Sequence, residues 1–331
     1  MRALLRGGTQ MLALLRLLQD GRFHSGEALG AALGVSRSAV WKQLQVLQAE
    51  LSLPVHKVRG RGYRLETPLQ LLDEDWLNAQ VGAPQWHACV MPGVDSTNAE
   101  ALRLLPSAAS LPFYVLAERQ TSGRGRRGRS WISPFGENLY YSLVVRVEGG
   151  VRQLDGMSLA VGLALLNVIH CFGVTEAGLK WPNDVLVGDR KLAGILLELS
   201  GDPADICHVV IGIGLNVNML VSEAGAIGQP WTSMRAELAC LLNRNELVTE
   251  LNKQLSRYLD IQRRDGFAAL QDEWHANHLW QGRSVALTAG AAPVEGKVLG
   301  VDHSGAIRLS VDGVERVFSG GELSLRLRDD S

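Results

Sequence analysis

One run constrains the fold of this chain more than any other: LDGMSLAVGLALLNVIHCF, residues 154–172. It has helical length and composition but almost no polar face, so a surface position would leave apolar side chains in water. Such a helix has to be buried by other elements. The neighbouring sequence supplies them: FYVLAER (113–119) and NLYYSLVVRV (138–147) before it, and GLKWPNDVLV (178–187), RKLAGILLELS (190–200) and CHVVIGIGLNVN (207–218) after it. These runs are rich in β-branched and aromatic residues and bounded by Gly, Pro or Asn, which predicts strands with tight turns. RAELACLLNRNELVTELNKQLSRYLDIQRR (235–264) closes the region with helices. Strands joined by hairpins, with helices grouped between them, predict an α+β domain on a mixed, largely antiparallel sheet over residues 86–275.

Residues 1–66 follow a different pattern. Leu12, Leu15 and Leu18 mark a first helix ending near Asp20-Gly21. Ser25 can cap a second, with Leu29 and Leu33 inward and Gly34 as its stop. Ser36 caps a third, SRSAVWKQLQVLQAE, in which Val40, Leu44, Leu47 and Leu51 form one stripe. Its opposite side carries Arg37, Ser38, Lys42 and Gln45. Two helices about a tight LGVS turn, the second basic and polar outside, make the helix-turn-helix pattern. HKVRGRGYRL (56–65) then reads as a hairpin wing with Lys57, Arg59, Arg61 and Arg64 available to a phosphate backbone. The alternative is a three-helix packing unit with a solvated basic face. Charge favours the DNA reading: residues 1–66 hold ten Lys/Arg against four Asp/Glu, while the remainder holds 23 against 30. Arg37, Ser38, Lys42, Arg59 and Arg61 are the candidate DNA contacts. The stretch PLQLLDEDWLNAQVG lies within a linker, residues 67–85, that includes a small helix.

Four cysteines, Cys89, Cys171, Cys207 and Cys240, show no C-x-x-C pairing and fit a reducing compartment. The opening MRALLRGGTQMLALLRLL is broken by Arg16 and leads to no small-residue cleavage site. No run is read as reaching the roughly 20 apolar residues of a membrane span. The expectation is a soluble, cytoplasmic chain with no membrane partner.

Four polar clusters punctuate the central region. DSTN (Asp95 to Asn98) precedes a short helix that Asp95, Ser96 or Thr97 could cap, or else aims hydroxyl and amide groups at a ligand. ERQTSGRGRRGRSW (118–131) is too irregular for a helix and too glycine-rich for a strand. Its glycines permit close backbone approach, and Arg124, Arg126, Arg127 and Arg129 suit phosphate or carboxylate oxygens. Clamped between strands in a folded domain, it reads as a small-anion cradle rather than an RNA-binding tail; a mobile surface loop is the plain alternative. KWPND with DRKLAG places Asn183, Asp184 and Lys191 about a hairpin, where Lys191 is either a snorkelling edge residue or a second fixed charge. GIGLN ends a strand at Asn216, and its glycines alone could serve tight packing. HANH (His275, His278) lacks a nearby third ligand and reads as structural; no metal set is legible. SVALTAG, VEGKVLGVD, AIRLSVD and VERVFSGGELSLRL read as five short strands with turns at Gly290, Ser304-Gly305, Asp312-Gly313 and Gly320-Gly321.

In this order, DSTN, GRGRRGR followed by W-x-SP-x-G-x-NLY, KWPND…RKLAGIL and GIGLN, behind a winged helix, closely resemble the bacterial bifunctional biotin–protein ligases and biotin operon repressors. The resemblance implies a class II synthetase-like central ligase domain and a C-terminal SH3-like small β-barrel over residues 280–331 that helps receive the carrier protein or ATP. It implies biotin, ATP and Mg²⁺. Biotin's carboxylate attacks the α-phosphate of ATP to give biotinyl-5′-AMP and pyrophosphate, and a lysine of the biotin carboxyl carrier protein of acetyl-CoA carboxylase then takes the biotinyl group. Ser96, Thr97, Asn98 and Gln120 would hold the ureido ring. Arg124, Gly125, Arg126 and Arg129 would wrap the carboxylate and phosphate, and Lys191 would fix the carboxylate or acyl-phosphate oxygen. Asn183 and Asn216 would serve the adenylate, Trp231 would cover it, and Asp184 would position groups or accept the incoming lysine's proton. Clustered arginines repel one another and glycines add chain entropy, so the empty loop is expected to be disordered and an adenylate to order it. The family further implies a homodimer when adenylate-bound and operator DNA as partner. Two segments depart from the pattern: MRALLRGGTQ has no evident role, and VSEAGAIG (221–228) is a weak match to a second ordering loop. The rivals are a lipoate-attaching relative, which would lack GRGRRGR and the winged helix, a biotinyl-AMP-sensing repressor without transfer activity, and a ligase whose winged helix no longer binds DNA.

Overall fold

The computed structural model describes residues 2–82, 84–220, 227–288, 293–319 and 323–327. The expected turns at Gly290 and Gly320-Gly321, and VSEAGAIG apart from Ile227 and Gly228, lie outside the described residues.

Three helices open the chain: α1 (Arg2–Leu18), α2 (Gly26–Leu33) and α3 (Arg37–Leu51). Ser25 and Ser36 cap α2 and α3 by accepting the N–H groups of Ala28 (3.0 Å) and Ala39 (3.2 Å), and Gly34 turns left-handed to stop α2. The whole predicted stripe of α3 is buried, packed with Leu14, Leu15, Leu18 and Leu29. Strands β1 (Val55–Val58) and β2 (Gly62–Leu65) pair antiparallel as the wing. The wing is anchored to the helices by two backbone hydrogen bonds between His24 and Tyr63 (2.9 and 2.8 Å). Gly62 is obligatory there: its φ is +101°, and a Cβ would lie 2.0 Å from the His24 carbonyl oxygen.

The segment read as a linker is bound at many points. Leu69, Leu71, Leu72 and Leu77 are buried, the last in α4 (Glu74–Asn78). Arg244, with no exposed surface, donates to the Gln70 and Asn138 carbonyls (2.8 and 3.0 Å) and pairs with buried Glu118 at 2.5 Å. Glu118 in turn accepts the Leu72 N–H at 2.7 Å.

The central sheet comprises β3 (His87–Met91), β4 (Phe113–Ala117), β5 (Leu139–Glu148), β6 (Ala177–Lys180), β7 (Asp184–Val187), β8 (Arg190–Gly201) and β9 (Ile206–Leu215), in the order β3-β4-β5-β9-β8-β7-β6. Only β3 and β4 pair in parallel, joined across α5 (Thr97–Leu104). The sequence reading did not anticipate β3, because HACVM is short and carries a single β-branched residue. Helix α6 (Met157–Cys171) is the predicted apolar helix, and most of its side chains lie in the main core with α8 (Arg244–Asp265). By length and hydropathy alone, Arg152–Cys171 would pass as a membrane span, contrary to the expectation that no stretch would; here it is the buried centre of the domain. Two short helices, α7 (Met234–Leu238) and α9 (Gln271–Ala276), flank α8.

Strands β10 (Ser284–Thr288), β11 (Pro293–Val301), β12 (Ile307–Val311), β13 (Val314–Phe318) and β14 (Ser324–Leu327) form an antiparallel sheet in the order β13-β12-β11-β10-β14. Among the described residues β13 and β14 each pair on one side, so this sheet is open. Val285, Leu287, Val298 and Leu309 join the same core as α6, and Trp181 donates to the Gly305 carbonyl at 3.0 Å. HANH serves this junction: His275 Nε2 accepts the Val301 N–H at 2.8 Å, and buried His278 packs on Trp274 with ring centroids 4.4 Å apart. Burial lowers the His278 pKa to about 4.

Candidate active site

A cavity of about 460 Å³ opens at the ends of β4, β7, β8 and β9. Ser96, Thr97, Asn98, Gln120, Arg124, Gly125, Arg126, Arg129, Asn183, Asp184, Lys191, Asn216 and Trp231, scattered over the sequence, all line it. Its volume suits a small ligand.

One part of the lining is a neutral hydrogen-bonding network. Of the two readings of DSTN, the side-chain cap is not made on helix α5. Ser96 occupies the cap position without a side-chain bond, and Gln120 Oε1 instead accepts the Thr97 N–H at 2.8 Å. Asp95 turns away to Arg103, whose hydrogen bonds hold its pKa down at about 2. Buried Ser142 of β5 reaches both Thr97 Oγ1 (2.8 Å) and Asn98 Oδ1 (2.6 Å). Gly212 of GIGLN is required beneath this cluster, because a Cβ would lie 2.3 Å from Asn98 Oδ1.

The other part is cationic. A β-bulge in the β7–β8 pairing, beside Lys191, re-aims the strand at the pocket. Lys191 Nζ lies 2.6 Å from Asp184, 5.5 Å over the Trp131 ring, and against Gly194, which has no side chain to block it. Lys180 approaches the other Asp184 oxygen at 3.8 Å and stacks on Trp280, and burial lowers its pKa. Arg126 donates to Asn183 (3.0 Å) and to the Leu323 carbonyl (3.3 Å), and burial lowers its pKa also. Asn216 is buried and braces the wall by donating to the Thr232 carbonyl at 2.9 Å. Half-buried Trp231 is held against Lys191 by backbone bonds on either side of it, from Lys191 N–H to Pro230 and from Thr232 N–H to Lys191.

The arginine–glycine loop follows a defined path. Gly125 N–H donates to Arg129 (2.7 Å), Trp131 N–H to Gly123 (2.9 Å), and Arg124 pairs with Glu198 at 3.0 Å. Trp131, Lys180, Ser142 and Glu198 escaped the sequence reading. Trp131 and Lys180 stood inside motifs that drew attention for other residues; Ser142 and Glu198 are isolated polar residues in otherwise apolar strands, which is a signal in itself. The wall formed by Leu323, Ser324, Leu325 and Arg326 left no such mark, since it depends on how the C-terminal sheet docks.

The DNA candidates lie in the N-terminal module. Arg37, Ser38 and Lys42 are exposed on α3, and Arg59 and Arg61 are exposed on the wing. Arg61 stacks on Phe23 at 4.4 Å, and Arg64, expected to point outward, is also drawn to that ring at 5.2 Å.

Fold and site together define a two-part protein, a helix-turn-helix module carried by a mixed-sheet domain whose pocket pairs a neutral network with fixed cations. Residues 90–216 match the biotin/lipoate A/B protein ligase family, and residues 10–64 match a helix-turn-helix domain family. The chain is 40% identical over 318 residues to the bifunctional ligase/repressor BirA of Salmonella typhimurium, covering 96% of this chain and 98% of that one. It is 35% identical to the biotin–[acetyl-CoA-carboxylase] ligase of Paracoccus denitrificans, over 69% of this chain and 96% of that one. Among solved structures, the biotin protein ligase of Aquifex aeolicus in complex with biotin and ATP superposes with a TM-score of 0.63 at 28% identity, covering 73% of this chain and 99% of that one. The chain belongs to the biotin/lipoate protein ligase family, in its bifunctional ligase/repressor branch.

Proposed function

We propose that this chain joins biotin to a carrier lysine through biotinyl-5′-AMP and, with that adenylate as corepressor, represses biotin synthesis as a DNA-bound homodimer. The observation that carries the catalytic part is a single cavity lined both by the Thr97–Asn98–Gln120 network and by Arg126, Lys191 and Lys180. Ser96, Thr97, Asn98 and Gln120 suit the donors and acceptor of a ureido ring, with Trp131 as the apolar wall beside it. Arg124, Gly125, Arg126 and Arg129 surround the carboxylate and α-phosphate. In the first step a biotin carboxylate oxygen bonds to the α-phosphorus and pyrophosphate leaves; cations fixed beforehand stabilise the charge gathering on the phosphoryl oxygens. Lys191 is placed for that role. Asp184, lying between Lys191 (2.6 Å) and Lys180 (3.8 Å), holds Lys191 in position. Asn183, Asn216 and Trp231 form the adenylate side. In the second step the carrier lysine's amine bonds to the acyl carbon and AMP leaves.

Mg²⁺ fits this site as a companion of ATP. Asp184 is the one carboxylate lining the cavity among the described residues, so the ion's charge would be carried chiefly on the phosphates.

Units 1–66, 67–85, 86–275 and 280–331 follow from this reading, with the last as an SH3-like module that shapes the ATP and carrier side. The carrier is the biotin carboxyl carrier protein of acetyl-CoA carboxylase, and the setting is the cytoplasm. On the head, Arg37, Ser38 and Lys42 face the operator's bases while Arg59 and Arg61 meet phosphates. The arginine–glycine loop, with its clustered like charges, is stabilised by the adenylate.

The test incubates the chain with biotin, Mg²⁺ and radiolabelled ATP, with and without the carrier domain. Biotin-dependent adenylate that is consumed as a carrier lysine is labelled is the expected result. Absence of adenylate overturns the catalytic reading, and adenylate that persists beside the carrier leaves a sensor without transfer. Biotin and ATP together should also protect residues 118–131 from protease; unchanged cleavage there rejects the ordering of the loop.

A further inference from the structure

Glu198 does not line the cavity, yet one of the two branches of the neutral network ends on it; the other ends on the Trp131 carbonyl. Ser133 donates to the Trp131 carbonyl (3.0 Å), and Gln120 Nε2 donates to Ser133 (3.1 Å). Ser142 has one proton and two oxygen neighbours, Thr97 Oγ1 and Asn98 Oδ1. The amide oxygen can only accept, so Ser142 donates to Asn98, and the Thr97 hydroxyl is left to donate to Ser142 or to Gln120. Asn98 Nδ2 then donates to Glu198 Oε2 at 2.7 Å, with its other hydrogen directed to the Leu196 carbonyl at 3.4 Å. An ionised carboxylate accepts and never donates, so it determines which way round the Asn98 amide sits. With both amide hydrogens committed, the capacity Asn98 has left for a ligand is the second lone pair of Oδ1. The same Glu198 oxygen holds Arg124 of the arginine–glycine loop at 3.0 Å.

We propose that Glu198 is a positioning residue for biotin: it keeps Asn98 as an acceptor for a ureido N–H and ties that acceptor to the anion loop through Arg124. This role rests on the ligase reading and deepens it.

The experiment compares the full-length wild type with Glu198→Ala, Asn98→Asp and the double variant Asn98→Asp/Glu198→Gln. Biotin affinity is read by calorimetry, KM and kcat by biotin-dependent pyrophosphate release, and folding by thermal melting. Glu198→Ala frees the Asn98 amide to turn, and both Kd and KM for biotin should rise about tenfold with kcat within about threefold. Asn98→Asp sets two carboxylates against each other and should weaken biotin by about a hundredfold. The double variant restores a donor–acceptor pair with its direction reversed: the amide introduced on β8 donates to the carboxylate introduced on α5, which still shows the ligand an acceptor. It should recover at least tenfold of the affinity lost in Asn98→Asp. A purely structural role would instead make affinity follow melting temperature and give no recovery. Glu198→Ala with biotin affinity within twofold of wild type, or a double variant no better than Asn98→Asp, overturns the assignment. A wild type that binds biotin but releases no pyrophosphate defeats the ligase reading and leaves the binding comparison to decide Glu198; a wild type that binds no biotin defeats both.

Discussion

Gly214→Ala should disable the site while leaving the fold nearly intact. Gly214 lies in β9 without a positive φ, so an alanine meets no backbone strain and the whole effect is steric. An added Cβ would sit 2.5, 2.7 and 2.8 Å from three atoms of the Trp131 indole. Carbon contacts settle at about 3.5–4.0 Å, so the ring has to retreat by about 1 Å. Overpacking of this kind costs about 1–3 kcal/mol, which in a chain of this size lowers the melting temperature by only several degrees. Function should suffer more. The Trp131 backbone N–H is bonded to Gly123, which fixes the residue in the loop, and its ring lies 5.5 Å from Lys191, so the ring cannot retreat without disturbing Lys191. A 1 Å misplacement at a reacting centre can cost about a hundredfold in rate, and that is the expected loss in biotin-dependent pyrophosphate release. Gly93→Ala is the control, since its nearest neighbour would be the Arg119 carbonyl oxygen at 3.8 Å, an ordinary contact. A Gly214→Ala enzyme with the wild-type rate, or one that loses activity only in proportion to unfolding, would refute the claim that Trp131 on bare strand backbone sets the site's geometry.

Arg244→Leu should destabilise the chain by about 3–5 kcal/mol in urea denaturation, because it strands the buried Glu118 carboxylate; Glu118→Leu/Arg244→Leu should regain much of that loss, and a single-variant cost under about 1 kcal/mol would contradict this. His278 has a folded pKa of about 4, below its ordinary 6.5, so the unfolded chain binds the proton first. Its contribution is complete above pH 6.5 and is lost as pH falls towards 4, by roughly 3 kcal/mol; His278→Gln should flatten the stability curve across that window. Arg59→Ala on the wing should lower the slope of log K against log salt for duplex DNA by about 1, and an unchanged slope would remove Arg59 from the phosphate contacts.

The parts legible in the sequence were those decided by local chemistry. The stripe Val40, Leu44, Leu47 and Leu51, the Ser25 and Ser36 caps and the Gly34 stop depend on residues a few positions apart, and the α3 side chains face as their period requires. The polar clusters could be picked out because their arginines, glycines and lysines interrupt otherwise apolar runs over a few neighbouring positions. Features that depend on distant partners stayed hidden. Strand β3 exists because β4 lies beside it. The α5 cap comes from Gln120, more than twenty residues away, rather than from DSTN. Nothing local marks Glu118 and Arg244 as partners; their burial follows from a pairing across 126 residues. Hydropathy alone does not separate a membrane span from the core helix α6; the flanking strands and helices, which supply its protein surroundings, do.

The arginine–glycine loop and the DNA-binding head stand on one footing. The Gly136 N–H donates to the Glu118 carbonyl at 2.9 Å and closes a neck below the loop. On one side of the neck, the Glu118 side chain holds Leu72, and Arg119 donates to the Glu50 carbonyl at 2.6 Å, in the last turn of α3. A guanidinium at a helix C-terminus is favourably placed against the helix dipole, so this bond steadies the end of the helix whose other end carries Arg37 and Ser38. Across the neck, Phe135 is buried in the apolar cluster of the head, and Leu69 packs against Gly136 while its N–H donates to Gln19 just beyond α1. The next residue along, Gln120, caps α5 and enters the ligand network. Residues 118, 119 and 120 therefore reach in turn the interdomain segment, the end of α3 and the cavity. These three residues follow directly on β4, where the chain bends at Glu118 and leaves the regular strand, and their side chains part towards three different elements.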